Sequence, residues 1–183
     1  MQQLTNGQIL QQAYRQHIAP YSKYVQCAVT LTLKQAATIR VKRFENYGDE
    51  YYEFVEYLDE DKLRSTISFF TTKLTTKLYG NHSKHKSKQH WAKPLVIAVV
   101  EGRNTHKLTH LHLAIGNIPA THLGNIEQHV EAAFKCCDFA NQQVCIKHVT
   151  NGIGWLGYIT KEVGYTDDDA LDIVSSTIPP FIQ

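Results

Sequence analysis

Long apolar runs are missing from this chain of 183 residues, and nothing in it approaches the roughly 18 consecutive apolar residues of a membrane span. Its opening, Met1-Gln2-Gln3-Leu4-Thr5-Asn6, has neither a basic start nor an apolar stretch, so neither export nor membrane insertion is expected. Cysteine is sparse. Cys27, Cys136, Cys137 and Cys145 show no CxxC spacing, and a chain of this length needs no disulfide staples. They read as reduced thiols, which implies an intracellular, cytoplasmic setting, bacterial or viral within a host. Excess charge of one sign is absent too: 19 basic and 17 acidic side chains leave a net +2, so total charge does not mark a nucleic-acid binder. There is no GxxxxGK[ST] phosphate loop and no internal repeat, which excludes a P-loop ATPase and a solenoid.

What is present describes one folding unit. Hydrophobic residues at 43% and charged residues at 20% match an ordinary globular chain. The expectation is a single domain over 1–183, with a core at about 25–165, an N-terminal helix within 1–20 and a tail at 166–183 as appendages. Gly7 to His17 reads as a short helix stopped near Pro20, and Cys27 to Leu33 alternates at period two as a strand. Residues 40 to 58, with Tyr47, Tyr51, Tyr52, Phe54 and Tyr57 among acids, fit either an extended ribbon or a helix. Leu63, Ile67, Phe70, Leu74 and Leu78 follow helical spacing from Asp59 to Tyr79, with Gly80-Asn81 as the stop. Leu95 to Val100 is an unbroken apolar strand, Thr109 to Ile115 an alternating one, and the turn between them makes an antiparallel hairpin. A helix over Thr121 to Phe139, a strand over Val144 to Val149 and a helix over Trp155 to Val163 complete the order. That order predicts an α+β fold: a central antiparallel sheet of about five strands flanked by helices, ferredoxin-like.

The sharpest local signal is His110-Leu111-His112. Alternate residues of a strand share a face, so both imidazoles point one way while Leu111 points the other. Glu101 ends the preceding strand and falls across the hairpin from His110, which would complete a two-histidine, one-carboxylate set with open coordination positions. The bland alternative is a pair of hydrogen-bonded strand histidines in a chain with ten histidines. A second signal is Tyr158-Ile159-Thr160-Lys161, where the three-residue step puts Tyr158 and Lys161 on one helical face. A phenol becomes a useful nucleophile toward a phosphodiester whose charge is neutralised by a cation. A tyrosine packed on the core with its hydroxyl at the surface is the alternative.

Between Lys73 and Lys93 no acidic residue interrupts a run that contains Lys84, Lys86, Lys88 and Trp91 with His82, His85 and His90. These residues suit contacts to a phosphate backbone and stacking on unpaired bases, or form a solvated loop. Arg103 in the hairpin turn joins them as a candidate DNA contact. His106 and His148 stand as a spare ligand and a packed histidine.

Val29-Thr30-Leu31-Thr32-Leu33, then His110-Leu111-His112, then Tyr158-Ile159-Thr160-Lys161 resembles the three-motif pattern of the HUH single-strand DNA endonucleases, over roughly residues 25 to 165. Within that superfamily the chain resembles the rolling-circle replication initiators of phages and plasmids. The resemblance implies a divalent ion, Mg2+ or Mn2+, held by His110, His112 and a third ligand, here Glu101. It implies attack by Tyr158 on single-stranded DNA at an origin or hairpin, a 5′-phosphotyrosine intermediate, and Lys161 on the phosphate. A separate host helicase and polymerase would follow. Tyr165 is the candidate second nucleophile where two are used. The alternatives are a transposase or mobilisation relaxase with the same chemistry, or a non-catalytic ferredoxin-like nucleic-acid-binding module. Relaxases tend to carry three clustered histidines and an N-terminal tyrosine, which this chain lacks.

Overall fold

A computed structural model describes residues 3–45, 48–85, 87, 91–103 and 108–180, with 43–45 and 48–50 described by backbone alone. The elements are α1 (Asn6–Ile18), β1 (Val25–Leu33), β2 (Ala36–Glu45), β3 (Gly48–Tyr57), α2 (Glu60–Tyr79), β4 (Leu95–Glu101), β5 (His110–Gly116), α3 (Ala120–Leu123), α4 (Ile126–Phe134), β6 (Ala140–His148), α5 (Gly152–Ile159) and β7 (Leu171–Thr177), with short 3-10 turns after α1 and α2. Five strands form one antiparallel sheet in the order β6-β1-β5-β4-β7. Its β1-α2-β4-β5-α4-β6 part is two βαβ halves, with β5 and β1 innermost, consistent with a ferredoxin-like fold. None of the helices among the described residues is long and apolar enough to cross a membrane.

Period two divides the sheet into two faces. Val29, Leu31 and Leu33 of β1, Val96, Ala98 and Val100 of β4, and Leu111, Leu113 and Ile115 of β5 point to one side and pack on Ile67, Phe70 and Leu74 of α2 and Val130 and Phe134 of α4. Burial of side chains of this size stabilises by about 1.5–3 kcal/mol each. The Asp59 side chain accepts from the Lys62 amide at 2.9 Å and caps the start of α2, and Gly80, at φ 55°, ends it. On the opposite side Leu95, Ile97, Val99 and Ala114 pack against Leu156 and Ile159 of α5 and Ile18 of α1.

Two expectations change, and one open alternative is decided. The helix expected over Thr121 to Phe139 breaks at Gly124-Asn125, where glycine adds no side-chain restraint, and ends at Phe134. The tail beyond residue 166 is no appendage, since Leu171–Thr177 adds the edge strand β7 beside β4. Within the ambiguous stretch at 40–58, residues 40–45 and 48–57 are extended, as parts of the strands β2 and β3 of an antiparallel ribbon. Ile39 lies opposite Phe54 and Val41 opposite Tyr52, pairs of the β-branched and aromatic kind that favour strands. Tyr47 lies outside the described residues.

Candidate active site

β5 runs between β1 and β4, so each of its residues has a partner on both sides. His110 lies between Thr32 and Glu101, and His112 between Thr30 and Val99. Thr30, Thr32, His110, His112 and Glu101 therefore occupy one end of one face, directly behind the apolar residues of the other. α5 crosses this face. Its first turn is capped by the Asn151 side chain, which accepts from the Gly154 amide at 3.0 Å. The helix lies so close to the turn after α1 that a Cβ on Gly152 would stand 2.1 Å from the Ser22 carbonyl oxygen.

This crossing brings the late tyrosine onto the histidine strand. The Tyr158 and His112 rings meet edge to face at 5.8 Å, and Trp155 stacks on Tyr158 at 5.3 Å. The Trp155 Nε1–H donates to the Leu113 carbonyl at 3.2 Å. α5 ends at Ile159, short of the expected Val163, but the Lys161 amide still bonds back to the Tyr158 carbonyl at 3.1 Å. That turn sets the Lys161 ammonium 4.3 Å from the centre of the Tyr158 ring. The same Nζ donates to Glu101 Oε2 at 2.6 Å, and His112 Nε2 reaches that oxygen at 2.8 Å. His112 Nδ1 meets the Thr30 hydroxyl at 2.9 Å. Tyr158 itself is 49% exposed, so part of its side chain meets solvent.

The charges follow from these contacts. Burial by itself raises the Glu101 carboxyl, but the hydrogen bonds from Lys161 and His112 and their charges outweigh it and hold it at about 2. Burial lowers His112 and outweighs the pull of Glu101, so its imidazole is neutral at pH 7. Lys161 is raised: burial acts against its charge, but the bond and charge of Glu101 prevail, with Tyr158 adding. An ionised Glu101 only accepts, so the network assigns the His112 proton to Nε2 and makes Nδ1 the acceptor of the Thr30 O–H.

This assignment bears on the metal. The donor types match a two-histidine, one-carboxylate site, and all three residues share a face. As arranged, though, His112 points a proton at Glu101, its other nitrogen accepts from Thr30, and an ammonium already sits on the carboxylate oxygen. Among the described residues no group of three or more His, Cys, Asp and Glu side chains is arranged to hold a metal ion. The expected His110, His112 and Glu101 set does not fit a divalent ion in this arrangement.

The other expected residues lie apart. Arg103 is occupied elsewhere: it bonds the Asp169 carbonyl and Glu60 Oε1, both at 3.1 Å, and stands 3.6 Å from Asp167 Oδ2. It is thus a tie between the end of β4, the start of α2 and the approach to β7, because acidic side chains surround it. Lys84 and Trp91 sit beyond the C-terminal end of α2, near the Leu95 end of β4. Seven residues of strand at ~3.3 Å each separate that end from Glu101, roughly 20 Å. Lys86, Lys88, His90 and His106 lie outside the described residues. Tyr165 follows Gly164, beyond the end of α5, and is exposed. His148 lies opposite Cys27 and meets its thiol at 4.0 Å, on the side away from His112.

Sequence reasoning missed Thr30, Trp155 and the role of α1. Gln11 Nε2 donates to the carbonyls of Thr160 at 2.9 Å and Lys161 at 3.0 Å, and Arg15 reaches the Gly157 carbonyl and Thr160 hydroxyl at 3.1 Å. A buried glutamine and an arginine on α1 thus hold the end of α5 that presents Tyr158 and Lys161. Only the small polar residues alternating in β1 could have signalled Thr30. Comparison of the chain with protein-family models, curated proteins and solved structures finds no match.

Proposed function

We propose that this chain cuts and rejoins single-stranded DNA through Tyr158, as an HUH-like strand transferase that starts rolling-circle replication alongside a separate helicase and polymerase. The carrying observation is the convergence of Tyr158, Lys161, Glu101 and His112, which come from three separate elements and a turn, at an open end of the sheet. In the reaction the Tyr158 oxygen bonds to phosphorus and the bond to the 3′ oxygen breaks. The phenol proton leaves to water, and the 3′ oxygen takes up a proton. Reversal by a 3′ hydroxyl rejoins the strand, so the phosphotyrosine conserves the bond energy and no nucleotide triphosphate is consumed. Lys161 stands over the phenol ring, where its permanent charge offsets the phosphate charge at attack. Glu101 and His112 fix Lys161 in place, and Thr30 fixes His112.

A divalent ion would need to displace Lys161 from Glu101, so no step is assigned to it here. Incubation with single-stranded DNA and Mn2+, followed by a denaturing gel, tests the reading: a denaturation-resistant protein–DNA adduct is expected, and Tyr158→Phe abolishes it. Running the assay with and without Mg2+ or Mn2+ measures whether the reaction draws on a free ion. The closed Lys161–Glu101–His112 network favours a second reading, a nucleic-acid-binding domain whose polar cluster is structural. Binding without any adduct selects that reading.

A further inference from the structure

One cavity beside Tyr158 is not used by the chemistry above. Between α5 and the edge strand β6 lies a cleft of about 220 Å³ lined by Ala28, Thr30, Cys145, Lys147, Trp155 and Tyr158. Ala28 and Thr30 form its floor. Lys147 and Cys145 lie opposite them in register and so rise from the same face of the sheet. The far wall is the stacked pair of Trp155 and Tyr158, with their planes 18° apart. At ~30 Å³ per water the space equals about seven waters, room for one flat ring system and too little for a base pair. An aromatic wall with a lysine at the rim is the chemistry that holds unpaired bases without regard to sequence.

We propose that this cleft seats one unstacked nucleobase of the single strand, next to the phosphate offered to Tyr158, with the base against the Trp155 indole and Lys147 on the neighbouring phosphate. The proposal rests on the reading of Tyr158 as the residue that meets DNA. It explains why Trp155 is held by the Leu113 carbonyl beside the tyrosine: the indole aligns the strand before attack. Lys147 adds salt-dependent affinity through its phosphate.

Cys145 reports on occupancy, because its thiol is exposed in the cleft, while Cys136 is exposed in a separate cavity with Lys62 and Phe69 and serves as a control. Iodoacetamide labelling of the full chain is followed with and without saturating ten-nucleotide oligo-dT, with saturation set by fluorescence anisotropy. The oligonucleotide is expected to slow Cys145 alkylation about tenfold or more and to leave Cys136 unchanged; a ten-unit abasic strand with the same phosphates is expected to protect neither. Equal Cys145 rates with oligo-dT bound, or equal protection by the abasic strand, overturn the base site. Cys145→Trp fills the cleft from an exposed strand position and is expected to weaken oligo-dT binding by about 5- to 100-fold; an unchanged Kd also overturns it. Adduct formation on a random pool of single strands is scored in parallel. Adduct with Cys145 unprotected removes the base site and leaves the nicking reading standing, while protection without adduct keeps the base site and removes nicking.

Discussion

The two faces of the central sheet divide the labour of this molecule. On one, Leu111 and Leu113 of β5 are fully buried beneath α2 and α4. On the other, His110 and His112 of the same strand stand with Thr30 and Glu101 at one end, where Tyr158 of α5 meets His112. One strand thus serves the apolar core on one side and a polar cluster on the other, since adjacent residues point opposite ways. Chemistry can vary on one side while packing on the other stays fixed.

Substitutions on each face test this division. The largest effect is expected from Tyr158→Phe, which should eliminate the covalent adduct while shifting stability by no more than about 0.5 kcal/mol, because only the hydroxyl of a half-exposed residue is lost. A denaturing gel and urea melts measure the two, and loss of folding in this variant would make Tyr158 a core residue. The reverse pattern belongs to Phe70→Ala under the closed face, which should cost about 3–5 kcal/mol in urea unfolding through the cavity it leaves.

Glu101→Gln probes the polar end. The carboxyl sits at about 2 in the folded chain against an ordinary 4.5, so its stabilisation is complete above 4.5 and is lost as pH falls through about 2. The variant is expected to be about 1–3 kcal/mol less stable at pH 7, the gap closing toward pH 2 in chemical melts; a gap that is constant with pH would mean that the charge of Glu101 is not what matters. Lys161→Met removes the cation that already occupies Glu101. Mn2+ affinity, read from the free-ion EPR signal, is expected to rise roughly tenfold, equivalent to ~1.4 kcal/mol. A fall in affinity would show that Lys161 does not compete with the ion. The smallest effect is Asp59→Ala: loss of the α2 cap should cost about 1 kcal/mol and leave adduct formation per folded molecule untouched.

Much of the scaffold was legible. β4, β5 and α2 announce themselves through an apolar run, strict alternation and helical spacing, and each lies where its pattern predicts. β7 was not legible, because Leu171-Asp172-Ile173-Val174-Ser175-Ser176-Thr177 alternates poorly; Asp172 is buried and Val174 exposed. The edge position of β7 tolerates that irregular pattern, and its bulge against β4 shifts the register. Among the site residues, the shared face of His110, His112 and Glu101 followed from period two and the hairpin. The engagement of Arg103 with Glu60 and Asp169 did not, nor did the hold of Gln11 and Arg15 on α5, since each joins residues more than 40 positions apart.

Local pattern in the chain was enough to specify an antiparallel hairpin that sets two histidines and a glutamate on one face, because strand geometry alone dictates which way neighbours point. It could not specify which atoms would meet there. Packing of α5 under α1 laid the tyrosine ring on His112 and dropped the lysine onto Glu101, an ion pair between residues 60 positions apart that no spacing rule encodes. The site is therefore closed by its own ammonium because long-range packing placed the two charges within bonding distance.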